Sequence, residues 1–129
     1  MTVLACFLPT PEGEAAFRAG LDQARRRGER LVVVNSPRTG APMTATLADD
    51  DTLERLRGQA AEAGVEVEVR TDPHADDLVR VVLGIADEVD AALLVIGLRR
   101  RSPVGKLLMG STAQRLLIDS ERPVLTVKA

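Results

Sequence analysis

The stretch Ala91-Ala92-Leu93-Leu94-Val95-Ile96-Gly97, continued by Leu98-Arg99-Arg100-Arg101-Ser102-Pro103-Val104-Gly105-Lys106-Leu107-Leu108-Met109-Gly110-Ser111, decides how the whole chain reads. Its first part is apolar without interruption, as a strand covered on both faces is expected to be. Its second part carries four positive charges, Arg99, Arg100, Arg101 and Lys106, and no acidic residue as far as Ser111. A helical pattern opens at Gly110-Ser111. A basic, glycine-punctuated turn between a buried strand and a helix N-terminus suits an anion, because backbone N–H groups and the positive end of the helix dipole both point there. On charge alone the same turn also reads as a solvated connection.

Four further apolar, β-branched runs flank this strand in sequence: Thr2–Leu8, Arg30–Asn35, Val65–Arg70 and Pro123–Lys128. In the third, Val alternates with Glu, the pattern of a half-exposed edge strand. Helical patterns separate the runs. Thr10 caps the first, Pro11 takes its first position, Glu12 and Glu14 follow in the dipole-favoured turn, and Arg25-Arg26-Arg27-Gly28 stops it. Its inward stripe is Phe17, Gly20, Leu21 and Ala24. The second spans roughly Leu47–Ala63, with Leu53, Leu56 and Ala60 inward and Asp49-Asp50-Asp51 at its start. For the third, Asp72 reads as the cap and Pro73 as the first residue, ahead of a stripe of Leu78, Val81, Val82, Ile85 and Val89. The fourth runs from Ser111 to about Ser120 and buries Leu116 and Leu117. Strict strand–helix alternation predicts an α/β protein, a parallel sheet with helices on both faces. Residues 1–129 read as one such domain, and Ser36–Thr46 as a loose segment able to fold over its ligand crevice.

Composition narrows the function. The net charge is −2, so with the four cations of the basic turn set aside the body of the chain carries −6. Two Phe, no Tyr and no Trp, with no broad basic face, argue against a nucleic-acid partner. No apolar run approaches the ~20 residues of a membrane span. The start lacks the basic region and cleavage site of a signal peptide, which predicts a cytoplasmic protein. Cys6 is the only cysteine and lies within the first apolar run, where a small hydrophobe is expected rather than a reactive thiol.

Familiar nucleotide and catalytic patterns fail. Gly105-Lys106 is followed by Leu107, and Arg100 stands where a phosphate-binding P-loop needs its first glycine. Leu8-Pro9-Thr10-Pro11 follows the first strand in place of the glycine-rich turn that wraps a pyrophosphate. His74, the single histidine, sits among Asp72, Asp76 and Asp77 and reads as a solvated surface residue. Ser111 has no evident base partner and reads as a helix cap or a phosphate contact. No metal site and no catalytic residue is expected.

The chain resembles the universal stress protein family over nearly its full length. The family pattern G-x2-G-x9-G-[ST] is met by Gly97 and by Gly110-Ser111, which leads into Thr112-Ala113-Gln114-Arg115-Leu116-Leu117, and Asp72-Pro73 and Pro123-Val124-Leu125-Thr126-Val127 also fit. The resemblance implies a doubly wound five-stranded parallel sheet of order 3-2-1-4-5, a homodimer joined through the last strand, and a role in the stress response. One branch of the family binds ATP, which makes ATP or AMP the candidate ligand. By that resemblance Gly97, Gly110 and Ser111 meet the phosphates, Lys106 and Arg100 add charge, and the Val33 backbone meets the adenine. Two positions depart from the branch: Arg100 replaces its second glycine, and Leu8 stands where an aspartate seats the nucleoside. The implied function is a regulatory or protective binding module that requires no cofactor. The alternatives are a dimeric scaffold without nucleotide and a slow ATP hydrolase.

Overall fold

The computed structural model describes residues 1–37, 48–99 and 110–129. In chain order the elements are β1 (Thr2–Cys6), α1 (Pro11–Arg27), β2 (Arg30–Val34), α2 (Asp50–Glu62), β3 (Val67–Arg70), α3 (Leu78–Glu88), β4 (Ala91–Leu98), α4 (Ser111–Asp119) and β5 (Val124–Lys128). All strand pairs are parallel, in the order β3-β2-β1-β4-β5. The doubly wound fold expected from the alternation is therefore the fold observed.

Strand alternation sorts the core into two layers. Val3, Ala5 and Phe7 from β1 and its exit, with Leu31, Val33, Leu93 and Val95, meet Ala16, Phe17, Ala24, Leu53 and Leu56 of α1 and α2. Leu4, Val32, Val34, Leu94 and Ile96 face the other way, onto Val79, Val82, Ile85 and Ala86 of α3 and Leu116 of α4. Strands β1 and β4, apolar on both faces, hold the middle of the sheet, which removes their side chains from water on both sides.

The helix boundaries follow local chemistry. The Thr10 side chain accepts the Gly13 N–H at 3.2 Å, and Gly28 closes α1 in the left-handed region at φ 64°. Asp49 caps α2 through the Thr52 N–H at 2.8 Å. The cap of α3 corrects the sequence expectation. Asp77, not Asp72, accepts the Arg80 N–H, at 3.1 Å, and the helix begins at Leu78. Asp72 instead accepts from Nε and Nη2 of Arg70, at 2.9 and 2.7 Å, while Nη1 turns to Glu88. The fourth helix corrects another detail: Leu116 is buried, whereas Leu117 and Ile118 are 37% and 80% exposed. Among the described residues no helix is long and apolar enough to cross a membrane.

Candidate functional site

The carboxyl ends of β1, β2 and β4 and the first turns of α1 and α4 border a cavity of about 520 Å³. Such a crevice forms where β1 and β4, neighbours in the sheet, send their following helices to opposite faces. Its floor is apolar, built by Cys6, Val34, Val82, Ile96 and Leu116. Its polar groups stand on two sides. Gly110, Ser111 and Thr112 form the α4 wall, and Glu12 with Arg99 forms the α1 wall.

Gly97 lies on the cavity wall at the end of β4, and its missing side chain answers to the fold. A Cβ there would stand 1.9 Å from the Glu12 carbonyl oxygen, so α1 packs backbone to backbone on β4. Gly13 is constrained alike, its Cβ falling 1.9 Å from the Leu8 carbonyl oxygen. Gly110 differs: among the described residues a Cβ there would meet nothing within 4 Å. It is the N-cap of α4 and supplies no side-chain acceptor, so among the described residues no cap side chain accepts from the first turn, whose free N–H groups suit water or a ligand. Ser111 is the first helical residue rather than the cap, and it is exposed at the cavity mouth.

The structure places the remaining expected site residues less uniformly. Val33 is fully buried in the α1–α2 layer, and its neighbour Val34 reaches the cavity instead. Three consecutive valines give no sequence clue to which one faces the cavity. Arg100 and Lys106 lie outside the described residues, as does most of the segment expected to cover the crevice. Leu8, in place of an acid, lines the cavity as a partly exposed apolar side chain.

Sequence reading missed two groups. Glu12 served only as a dipole-favoured residue, yet α1 starts so soon after β1 that its second residue reaches the carboxyl edge of the sheet. There its carboxylate is 17% exposed and pairs with Arg99 Nε at 3.5 Å. Asn35, fully buried, donates to the Phe7 carbonyl at 3.0 Å and accepts the Ala48 N–H at 2.8 Å. Its backbone N–H bonds the Arg70 carbonyl at 2.9 Å, so one side chain ties the exits of β1 and β2 to the start of α2.

His74 is half-buried and engaged, not freely solvated. Its Nδ1 lies 2.9 Å from Ser36 Oγ, and its backbone N–H donates to the Pro37 carbonyl. Ser36 Oγ also bonds the Asp72 carbonyl. A carbonyl only accepts, so the hydroxyl proton goes to Asp72 and His74 Nδ1 brings its own proton to Oγ. Ser36 is thus not a nucleophile activated by His74. Cys6 is equally quiet, because burial pushes its thiol up to about 12.

The doubly wound parallel sheet with a cavity at its carboxyl edge places the chain in the class of small α/β proteins. Residues 1–128 match the sequence profile of the universal stress protein family. A universal stress protein of Mycolicibacterium smegmatis is 42% identical over 118 residues, covering 92% of this chain and 90% of the relative. The chain therefore belongs to the universal stress protein family. A universal stress protein structure from Archaeoglobus fulgidus superimposes with a TM-score of 0.79 at 30% identity, covering 98% of this chain and 97% of that one. A universal stress protein from the same organism in complex with dAMP gives a TM-score of 0.69 at 25% identity, covering 98% and 96%.

Proposed function

We propose that this chain is a dimeric, cytoplasmic binding module of the stress response that takes an adenine nucleotide, ATP or AMP, in the carboxyl-edge cavity. The observation that carries this reading is the first turn of α4, which lines the cavity with a glycine cap and no side-chain acceptor for its N–H groups. That turn suits a phosphate, and the apolar floor of Cys6, Val34 and Ile96 suits a base. A similar protein binds dAMP. Gly110 and Ser111 would receive the phosphate, with Lys106 and Arg100 adding positive charge and Gly97 keeping the wall close. Val34 replaces Val33 as the backbone contact for the base.

The module works without catalysis. Ser36 and His74 hold their protons in a structural bond, and Cys6 stays a thiol. Calorimetric titration with ATP or AMP, with and without Mg²⁺, tests the reading. Saturable binding that weakens at least tenfold in Ser111→Ala or Lys106→Ala supports the pocket. Absence of heat at millimolar nucleotide leaves the dimeric scaffold, the reading that Leu8 and Arg100 favour. Steady phosphate release from ATP would establish the slow hydrolase instead.

The dimer reading rests on the outer edge of β5. Leu94 N–H bonds the Pro123 carbonyl and Ala129 N–H bonds the Leu98 carbonyl. Parallel pairing then turns the backbone groups of Leu125 and Val127 toward β4, and those of Val124, Thr126 and Lys128 outward. A second copy of the same edge satisfies that row, and exposed Ile118 lies on the helix leading into it.

A further inference from the structure

We infer that Glu12 is the specificity-determining residue of the cavity, reading the hydroxyl-bearing part of the bound ligand, with Arg99 as its positioning partner. This rests on the nucleotide reading above and adds the end of the ligand that the α4 turn does not recognise. The cavity is polar on two walls of unlike character with an apolar floor between them. The α4 wall offers N–H and hydroxyl donors, which receive an anionic group. The α1 wall offers the Glu12 carboxylate, which accepts hydrogen bonds, beside the Arg99 guanidinium that offsets its charge. A ligand that carries its phosphate toward the α4 turn then brings its hydrogen-bond donors toward Glu12. The ribose diol of a nucleotide supplies such donors.

Glu12 has the means to do this. Its backbone is fixed by contact with Gly97, so its side chain starts from a set point on the wall. The carboxylate is 17% exposed, largely withdrawn from water before any ligand arrives. Arg99 Nε approaches Oε1 at 3.5 Å, beyond a strong direct hydrogen bond, and aims the group while leaving acceptor capacity for a ligand. The short interval between β1 and α1 makes this placement possible, and it supplies a carboxylate to a cavity whose first loop, Leu8-Pro9-Thr10, has none.

The test compares AMP, 2′,3′-dideoxy-AMP and inorganic phosphate on the full chain, as wild type, Glu12→Ala, Glu12→Gln and Arg99→Ala. Wild type is expected to prefer AMP to the dideoxy analogue by about tenfold, the scale of one hydrogen bond to a charged group. Glu12→Ala should lose that preference and bind inorganic phosphate at least as well as wild type, since a negative charge is gone. Glu12→Gln, which keeps a carbonyl acceptor, should retain part of the preference, and Arg99→Ala should reduce it. Equal binding of AMP and its dideoxy analogue by wild type, or a preference that survives Glu12→Ala, overturns the assignment and leaves the nucleotide reading intact. Failure of wild type to bind AMP overturns both. Circular dichroism of each variant confirms that its fold is unchanged.

Discussion

At Gly97 a methyl group would press into the Glu12 backbone, whereas at Gly110 it would meet none of the described residues within 4 Å. The two glycines belong to one sequence motif, and their neighbours give them different work. Gly97→Ala is expected to cost about 1–3 kcal/mol in urea unfolding, the cost of overpacking a rigid contact. Gly110→Ala should cost less, about 0.5–1 kcal/mol, the scale of placing Ala at an N-cap. Any loss of nucleotide affinity in Gly110→Ala then reports on the ligand rather than the fold. A Gly110→Ala as unstable as Gly97→Ala would contradict this division. The motif spacing was legible in the sequence; the Glu12 carbonyl that makes Gly97 obligatory was not, because it comes from the other side of the sheet centre.

Helix α3 shows how an element boundary is decided by partners outside the element. Asp72-Pro73 is a good local start signal, but Arg70 claims the Asp72 carboxylate and holds it below the usual carboxylate range. Asp77 is held low as well, first by Arg115 of α4 and then by the Arg80 N–H it caps. In amide exchange, Asp77→Ala should expose the Arg80 amide and fray the first turn of α3, while Asp72→Ala leaves that amide protected. The opposite pattern would restore Asp72 as the cap. At the sheet edge, Thr126→Pro removes an outward N–H and leaves the β4 ladder intact. Light scattering should then report a mass near 13.8 kDa for the variant and twice that for wild type. A wild type at 13.8 kDa, or a Thr126→Pro variant still at the dimer mass, removes the β5 interface.

Over the whole molecule the titrating groups bound the pH range of stability. The carboxyls of Asp22, Asp49, Asp72 and Asp77 lie below their ordinary value, held first by Arg26, the Thr52 side chain, Arg70 and Arg115 respectively. Their contribution is complete above the unfolded carboxylate range and disappears as pH falls through the lowered values. It is small for each exposed pair because solvent screens it. Cys6 acts in the other direction. Its folded value near 12 exceeds the ordinary thiol value of 9.0, so stability is unaffected below pH 9.0 and falls as pH rises toward 12. The thermal midpoint should therefore be flat across neutral pH and decline at both extremes. Cys6→Ala should flatten the alkaline limb, and an unchanged limb would show that the thiol ionises in the folded state.

The strand–helix alternation, most core residues, the cap of α1 and the position of the basic turn after β4 were determined by the sequence by itself. These are local consequences of periodicity, capping and apolar runs, which need no knowledge of distant neighbours. Only the tertiary structure decided that Asp77 rather than Asp72 caps α3, that Val34 rather than Val33 reaches the cavity, and that Glu12 lines it beside Arg99. Each of those outcomes depends on which elements lie side by side. Neighbours contributed by a parallel sheet are tens of residues away in the chain, where no spacing rule reaches.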